Sequence, residues 1–268
     1  VMLNIRTPAV AGIFYSADTQ QLKQDVQQLL AGAQSHNLRP KALIVPHAGY
    51  VYSGAIAATA YITLRPFAGQ IRRIILLGPA HCVAIHGLAL PTASFFDTPL
   101  GQVKLDSEAA QAIAHLPQVI ISEEAHAQEH SLEVQLPFLQ SVLPEFTLLP
   151  LTVGMASADE VAEVLEILWG GEETLVVISS DLSHYLPYAT AQRIDNATVQ
   201  SILQLHQPIA HDHACGGTPI SGLIVAAQKH HLMPHLLDLR NSGDTAGSRD
   251  QVVGYAALAF TGETKHAS

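Results

Sequence analysis

The sequence predicts an α/β protein in which helices flank a central, mostly parallel or mixed sheet. Two patterns carry this expectation. Short continuous apolar runs recur along the chain, as in strands buried on both faces. Segments with helical periodicity and capping residues alternate with them. No linker, internal repeat or low-complexity stretch divides the chain. Residues 1–268 therefore read as a single domain, a length that suits one large α/β unit.

Taken in order, 18–33 reads as a helix, with Asp18 as cap and Leu22, Val26, Leu29 and Leu30 on one face. Ala42-Leu43-Ile44-Val45 is a buried strand ended by Pro46. An Ala-rich helix follows over 53–64, with Ser53 as its cap. Ile74 to Leu77 is the next strand, stopped by Gly78-Pro79, and Leu88 to Leu90 is another. Helices are expected over 107–115, capped by Asp106 or Ser107, and over 131–142. Phe146 to Val153 is a strand, and Ser157 with Glu160 forms a capping box for a helix over 157–168. Leu175 to Ile178 is a strand, and 187–205 and 219–230 are helices. The closing strands are 235–240 and Val252 to Phe260.

Composition narrows the function. The formal charge is −10 and no Lys/Arg cluster is present, which argues against a nucleic-acid partner. No apolar run approaches the roughly 20 residues that span a bilayer. Val1 to Val10 lacks the charged-then-apolar layout of a signal peptide, so a cytoplasmic location is expected. Only 13% of residues are charged. That shortage is explained either by a homo-oligomeric surface or by Gln, Ser, Thr and His carrying solubility. The two cysteines, Cys82 and Cys215, read as separate thiols. Of the histidines, His36, His115, His206, His230, His231, His235 and His266 sit in polar or loop-like settings and read as surface residues.

Three apolar strands end alike. The strand at 42–45 runs into Pro46-His47-Ala48-Gly49-Tyr50, and that at 74–77 into Gly78-Pro79-Ala80-His81. The strand at 175–178 runs into Ser179-Ser180-Asp181-Leu182-Ser183-His184. In an open parallel sheet these carboxyl ends share one edge, where ligands bind. His47, His81, Asp181 and His184 are therefore expected to converge. Two imidazoles need a third donor to hold a divalent ion, a carboxylate or a thiolate. Cys215, in a tight Gly-Gly-Thr-Pro turn before a helix, is the best thiol, and the helix start is expected to favour its thiolate. Cys82 follows His81 directly and reads as supporting. Glu129, His130 and Glu133 are read as lining the site, against the plainer reading of a solvated helix start with Glu129 or Ser131 as cap. Tyr50 and Tyr52 are candidate pocket walls, more often packing residues at such positions. Asp244, in an Asn-Ser-Gly-Asp turn, either closes the site or only makes the turn.

These motifs, in this order, resemble the MEMO family, also called AmmeMemoRadiSam system protein B. The resemblance is carried by Arg6-Thr7-Pro8-Ala9-Val10-Ala11-Gly12-Ile13-Phe14-Tyr15, Pro46-His47-Ala48-Gly49-Tyr50 with Tyr52-Ser53-Gly54, and Gly78-Pro79-Ala80-His81. Glu129-His130-Ser131-Leu132-Glu133, Ser179 to His184, and Cys215-Gly216 complete it, from about residue 6 to 260. The resemblance implies a fold akin to class III extradiol ring-cleaving dioxygenases. It implies an iron or copper site on His47, His81 and Cys215, with Asp181 and His184 lining the pocket and His184 as acid/base. A thiolate there replaces the carboxylate of the dioxygenases, and its softness admits zinc as well. It also implies a pathway link to radical SAM and AMMECR1-like proteins.

Three functions follow as expectations. The first is a metal-dependent oxidoreductase acting on an unidentified small molecule, with His184, oriented by Asp181, moving a proton. The second is a non-catalytic module that binds a peptide or partner, or chaperones a metal, in the same cleft. The third is a thiol hydrolase with Cys215 as nucleophile.

Overall fold

The computed structural model describes residues 4–262. Residues 1–3 of the Val1–Val10 stretch, and His266, lie outside them. In chain order the elements are β1 (Ile5–Arg6), α1 (Thr19–Gly32), β2 (Pro40–Val45), α2 (Tyr50–Tyr61), β3 (Arg73–Pro79), β4 (Leu88–Leu90), β5 (Phe95–Thr98) and β6 (Gly101–Lys104). Then come α3 (Ser107–Ile113), β7 (Val119–Ile121), α4 (Glu124–Ala127), α5 (Leu136–Val142), β8 (Thr147–Val153), α6 (Ala158–Leu168) and β9 (Thr174–Ser179). The chain closes with β10 (His184–Leu186), α7 (Tyr188–Leu203), α8 (Gly217–Lys229), β11 (Met233–Asn241) and β12 (Val252–Thr261). The 3-10 turns at Ile62–Phe67, Glu133–Gln135 and Ser242–Asp244 join them.

The main sheet runs β10-β12-β2-β9-β3-β8-β4-β7, with β11 also on β12. Its centre, β2, β9, β3 and β8, is parallel throughout. Toward the margins β12 and β4 run antiparallel to it, so the sheet is mixed. The reason is connection length. Only residues 80–87 separate β3 from β4, with no helix to carry the chain back, so β4 must run the other way. The sequence reading missed the short strands β1, β5, β6, β7 and β10, whose few residues give no clear period.

Each central strand is buried on both faces because alternate residues enter different cores. Ile44, Ile75, Leu77, Val176 and Ile178 pack with α6 and α8 on one side. Leu43, Val45, Ile74, Leu76 and Val177 pack with α1, α2 and α5 on the other. Caps follow the sequence closely. Asp18 accepts from the Gln21 amide, Asp106 caps α3, and Ser157 and Glu160 form the expected box. Two helix starts differ. α2 begins at Tyr50 behind Gly49, and Ser53 lies inside it, its Oγ donating to the Ala48 carbonyl. The expected helix over 131–142 is α only from Leu136, because 128–132 leaves helical geometry to reach the site.

The opening segment is fastened down by one buried acid. Glu133, with no exposed surface, accepts from Arg6 (2.6 Å), the Ala9 and Val10 amides (2.8 and 3.0 Å) and Tyr15 Oη (2.7 Å). Arg6 also donates to the carbonyls of His126 and Glu129. Removing one partner of such a pair strands a charge in the interior. Arg6→Met is expected to lower stability by about 3–5 kcal/mol, read from the urea midpoint.

Candidate metal centre

The site forms where the parallel strands end. His47 follows β2, His81 follows β3, Asp181 follows β9 and His184 opens β10. His130 arrives from the non-helical segment between α4 and α5. The rings of His47 and His81 lie 5.2 Å apart, His47 and His130 5.4 Å, and His81 and His130 4.7 Å. Among the described residues, each of these histidines offers a donor atom, and all these atoms fall within 4.8 Å of one another. They line a cavity of about 630 Å3 together with Phe14, Tyr52, Asp181, His184 and Tyr255.

Two of the rings are held from behind. His47 Nδ1 lies 2.8 Å from Ser179 Oγ, and His81 Nδ1 lies 2.9 Å from Glu129 Oε1. The Glu129 carboxylate also accepts from the backbone amides of His81 (2.5 Å) and Ser131 (2.9 Å). Burial alone would raise the Glu129 pKa, but the His81 hydrogen bond and charge and these amides bring it down to about 2. Glu129 is thus an anion that orients His81, the arrangement that fixes metal-ligating histidines. Burial pushes the pKa values of His47, His130 and His184 down, with neighbouring histidines adding to the effect. These rings favour the neutral form that ligates.

Cys215 lies next to this cluster, its Sγ 3.3 Å from His47 Nε2. Gly216 makes that approach possible. A Cβ there would meet Ser180 Cβ at 2.6 Å and the Ser179 carbonyl at 2.9 Å. The surroundings of Cys215 work against the expected thiolate. Burial, then the Asp181 carboxylate, pushes the Cys215 thiol up to about 12. Here desolvation outweighs the helix start that suggested a thiolate.

The remaining candidates separate. Asp181 serves His47: its Oδ1 accepts from the His47 amide (2.8 Å) and its Oδ2 lies 3.9 Å from His47 Nε2. Burial raises its pKa to about 7. The expected orientation of His184 by Asp181 is therefore replaced by a contact with His47. Glu133 faces the opening segment and not the cavity. Tyr50 turns inward, donating to the Val134 carbonyl and packing on Phe138. Asp244 closes its own turn on the Asn241 amide and takes the Tyr188 hydroxyl. Tyr52 does line the cavity. Cys82 is exposed, with its Sγ 3.4 Å from the Gln128 carbonyl, and both cysteines are free. Sequence reasoning missed Phe14, Tyr255, Ser179 and Gln135 as functional residues. Phe14 and Ser179 lay inside quoted motifs, but no spacing marked their roles.

Fold and site together define a class: an α/β protein with an imidazole cluster at the carboxyl edge of a parallel sheet centre. The comparisons carry this further. The family model for "Memo-like protein" matches residues 6–259. A MEMO1 family protein of Sulfolobus acidocaldarius is 34% identical, the match covering 96% of this chain and 99% of the relative. One from Aquifex aeolicus is also 34% identical, over 96% of this chain and all of the relative (100%). One from Methanosarcina barkeri is 35% identical, over 95% and 99%. The chain belongs to the MEMO family. An uncharacterized protein of Escherichia coli K12 shares the fold, with TM-score 0.52 and 15% identity over 81% of this chain and 99% of that one. Among the described residues, no helix is long and apolar enough to cross a membrane.

Beside the site, His126 Nε2 donates to the Ala89 carbonyl (2.8 Å), so Nε2 carries the proton. Burial is the main cause that lowers its pKa from 6.5 to about 4. The unfolded chain therefore binds the proton more readily. The stability that neutral His126 contributes is complete above about pH 6.5 and is lost as pH falls toward 4. On acidification across that window, on the order of 3 kcal/mol should disappear from this source. His126→Gln, whose amide can still donate to Ala89, should flatten that part of the pH–stability curve measured by urea unfolding.

Proposed function

We propose that this protein is a metal-dependent oxidoreductase whose iron or copper ion is held by His47, His81 and Cys215. The observation that carries the reading is the meeting of three imidazoles on a cavity wall, two of them, His47 and His81, with one ring nitrogen already engaged. That leaves the inner nitrogens of His47 and His81 for a cation, so the donor set fits an ion. His130 is the alternative third donor, since it completes the imidazole cluster, whereas Cys215 touches His47. A thiolate among imidazoles favours copper or iron, with zinc the redox-silent alternative. When bound, the ion supplies Lewis-acid and electron-transfer chemistry and stabilises the Cys215 thiolate.

The chain's own residues then have distinct tasks. Glu129 holds His81 in place. Neutral His184, on the cavity wall, accepts a proton from a bound hydroxyl group and returns it. Phe14 and Tyr52 flank the space in which a small oxygenated molecule sits. A protonated Cys215 behind His47 is poorly suited to attack a substrate, which weighs against a thiol hydrolase.

A second reading, a cleft that docks a peptide or partner, is favoured by exposed side chains at the mouth. Tyr52 is 41% exposed and Tyr185 is 70% exposed. Tyr185 also has a left-handed backbone, φ 58, at an irregular step of β10 on β12.

Loading the purified protein anaerobically with Fe(II), Cu(I) or Zn(II), then measuring metal by elemental analysis, tests the site. Stoichiometric metal is expected, lost in His47→Ala and in Cys215→Ser, and kept in His130→Gln. Loss in His130→Gln with retention in Cys215→Ser would assign the third ligand to His130 instead. Full retention by His47→Ala would refute the site. Oxygen consumption by the loaded protein with phenolic or enediol compounds separates the enzyme from the docking module, which should bind partners even as Cys215→Ala.

A further inference from the structure

We propose that Ser179, positioned by Gln135 and Tyr61, fixes His47 in the tautomer that carries its proton on Nδ1. The bare Nε2 of His47 then faces Cys215 and the cavity.

The proposal follows from counting protons in a buried network. Ser179 Oγ has three polar neighbours: the Ser131 carbonyl at 2.6 Å, Gln135 Nε2 at 2.9 Å and His47 Nδ1 at 2.8 Å. A hydroxyl has one proton to give. The carbonyl cannot donate, so at 2.6 Å it must receive that proton; otherwise two oxygens would face each other with nothing between them. Gln135 reaches Ser179 through its NH2 group, which only donates. Ser179 therefore accepts from both Gln135 and His47, and Nδ1 is the nitrogen that bears hydrogen.

The orientation of Gln135 is settled by its other contacts. Its Nε2 lies 2.9 Å from the Pro46 carbonyl, and its Oε1 receives the Tyr61 hydroxyl at 2.7 Å. Turning the amide over would set Oε1 against the Pro46 carbonyl and leave two buried donors unmet. Gln135 and Ser179 are almost fully enclosed, as is Tyr61, so water cannot stand in for any of these bonds. At the far side of the ring, Nε2 lies 3.3 Å from Cys215 Sγ, and an unprotonated nitrogen there can accept from the thiol. His47 thus turns its Nδ1 toward a neutral hydroxyl, where His81 turns its Nδ1 toward the Glu129 carboxylate. The relay avoids a second buried anion behind the cluster. Its consequence for metal affinity rests on the metal-site reading above; the tautomer itself does not.

The test is a long-range 1H–15N spectrum of metal-free protein labelled with 15N at histidine, with His47 assigned by its absence in His47→Gln. A single Nδ1–H neutral tautomer is expected for His47. Ser179→Ala should admit the Nε2–H form and weaken zinc binding by about 10- to 100-fold, measured by competition with a chromogenic chelator. Ser179→Thr keeps the hydroxyl and should restore both signals. An Nε2–H tautomer or an imidazolium in the unaltered protein would overturn the proposal, and that spectrum decides even if Ser179→Ala does not fold. An unchanged tautomer in folded Ser179→Ala would overturn it equally. If the tautomer responds as expected but zinc does not bind, the relay stands and the metal-site reading falls.

Discussion

A carboxylate taken out of water is costly unless its oxygens are met by donors, and two such groups hold this site together. Glu133 gathers Arg6, two backbone amides and Tyr15, and so ties the start of the chain to the segment that carries His130. Glu129, four residues earlier, gathers the amide and ring of His81 and the amide of Ser131. The segment between them is not α-helical. This departure from helical geometry delivers the His130 ring to the other two. Gly78 allows it to settle, because a Cβ there would meet Ser131 Oγ and Leu132 Cδ2, each at 2.9 Å.

The charges around the cluster are arranged with economy. Glu129 is the permanent anion, and desolvation drives His47 and His130 toward the neutral form. Asp181 and Cys215, both deep in the same region, are pushed toward their protonated forms by burial. A cation entering such a pocket meets lone pairs and groups whose protons it can displace. This coupling of proton release to ion binding is the general behaviour of thiolate and carboxylate sites.

The cavity joins this chemistry to the outside. Its floor is the edge of the sheet, a rigid base, while Phe14 and Tyr52 come from the opening segment and the start of α2. The Tyr50 amide donates to the Phe14 carbonyl at 2.8 Å, which ties these two walls together. Arg6 and Glu133 thus shape the mouth of the cavity as well as its interior.

The amino-acid sequence by itself determined the alternation of strands and helices, most of the caps, and the placement of His47, His81, Asp181 and His184 at one edge. Those features follow from local period and strand direction, which any stretch of chain carries within itself. The tertiary structure alone decided the rest. It turned Glu133 onto Arg6, 127 residues away, and His47 onto Ser179, 132 residues away. It gave Asp181 to His47 instead of His184, turned Tyr50 inward, and reversed the expected ionisation of Cys215. Burial and hydrogen-bond partners set these outcomes, and both are properties of which distant segments meet.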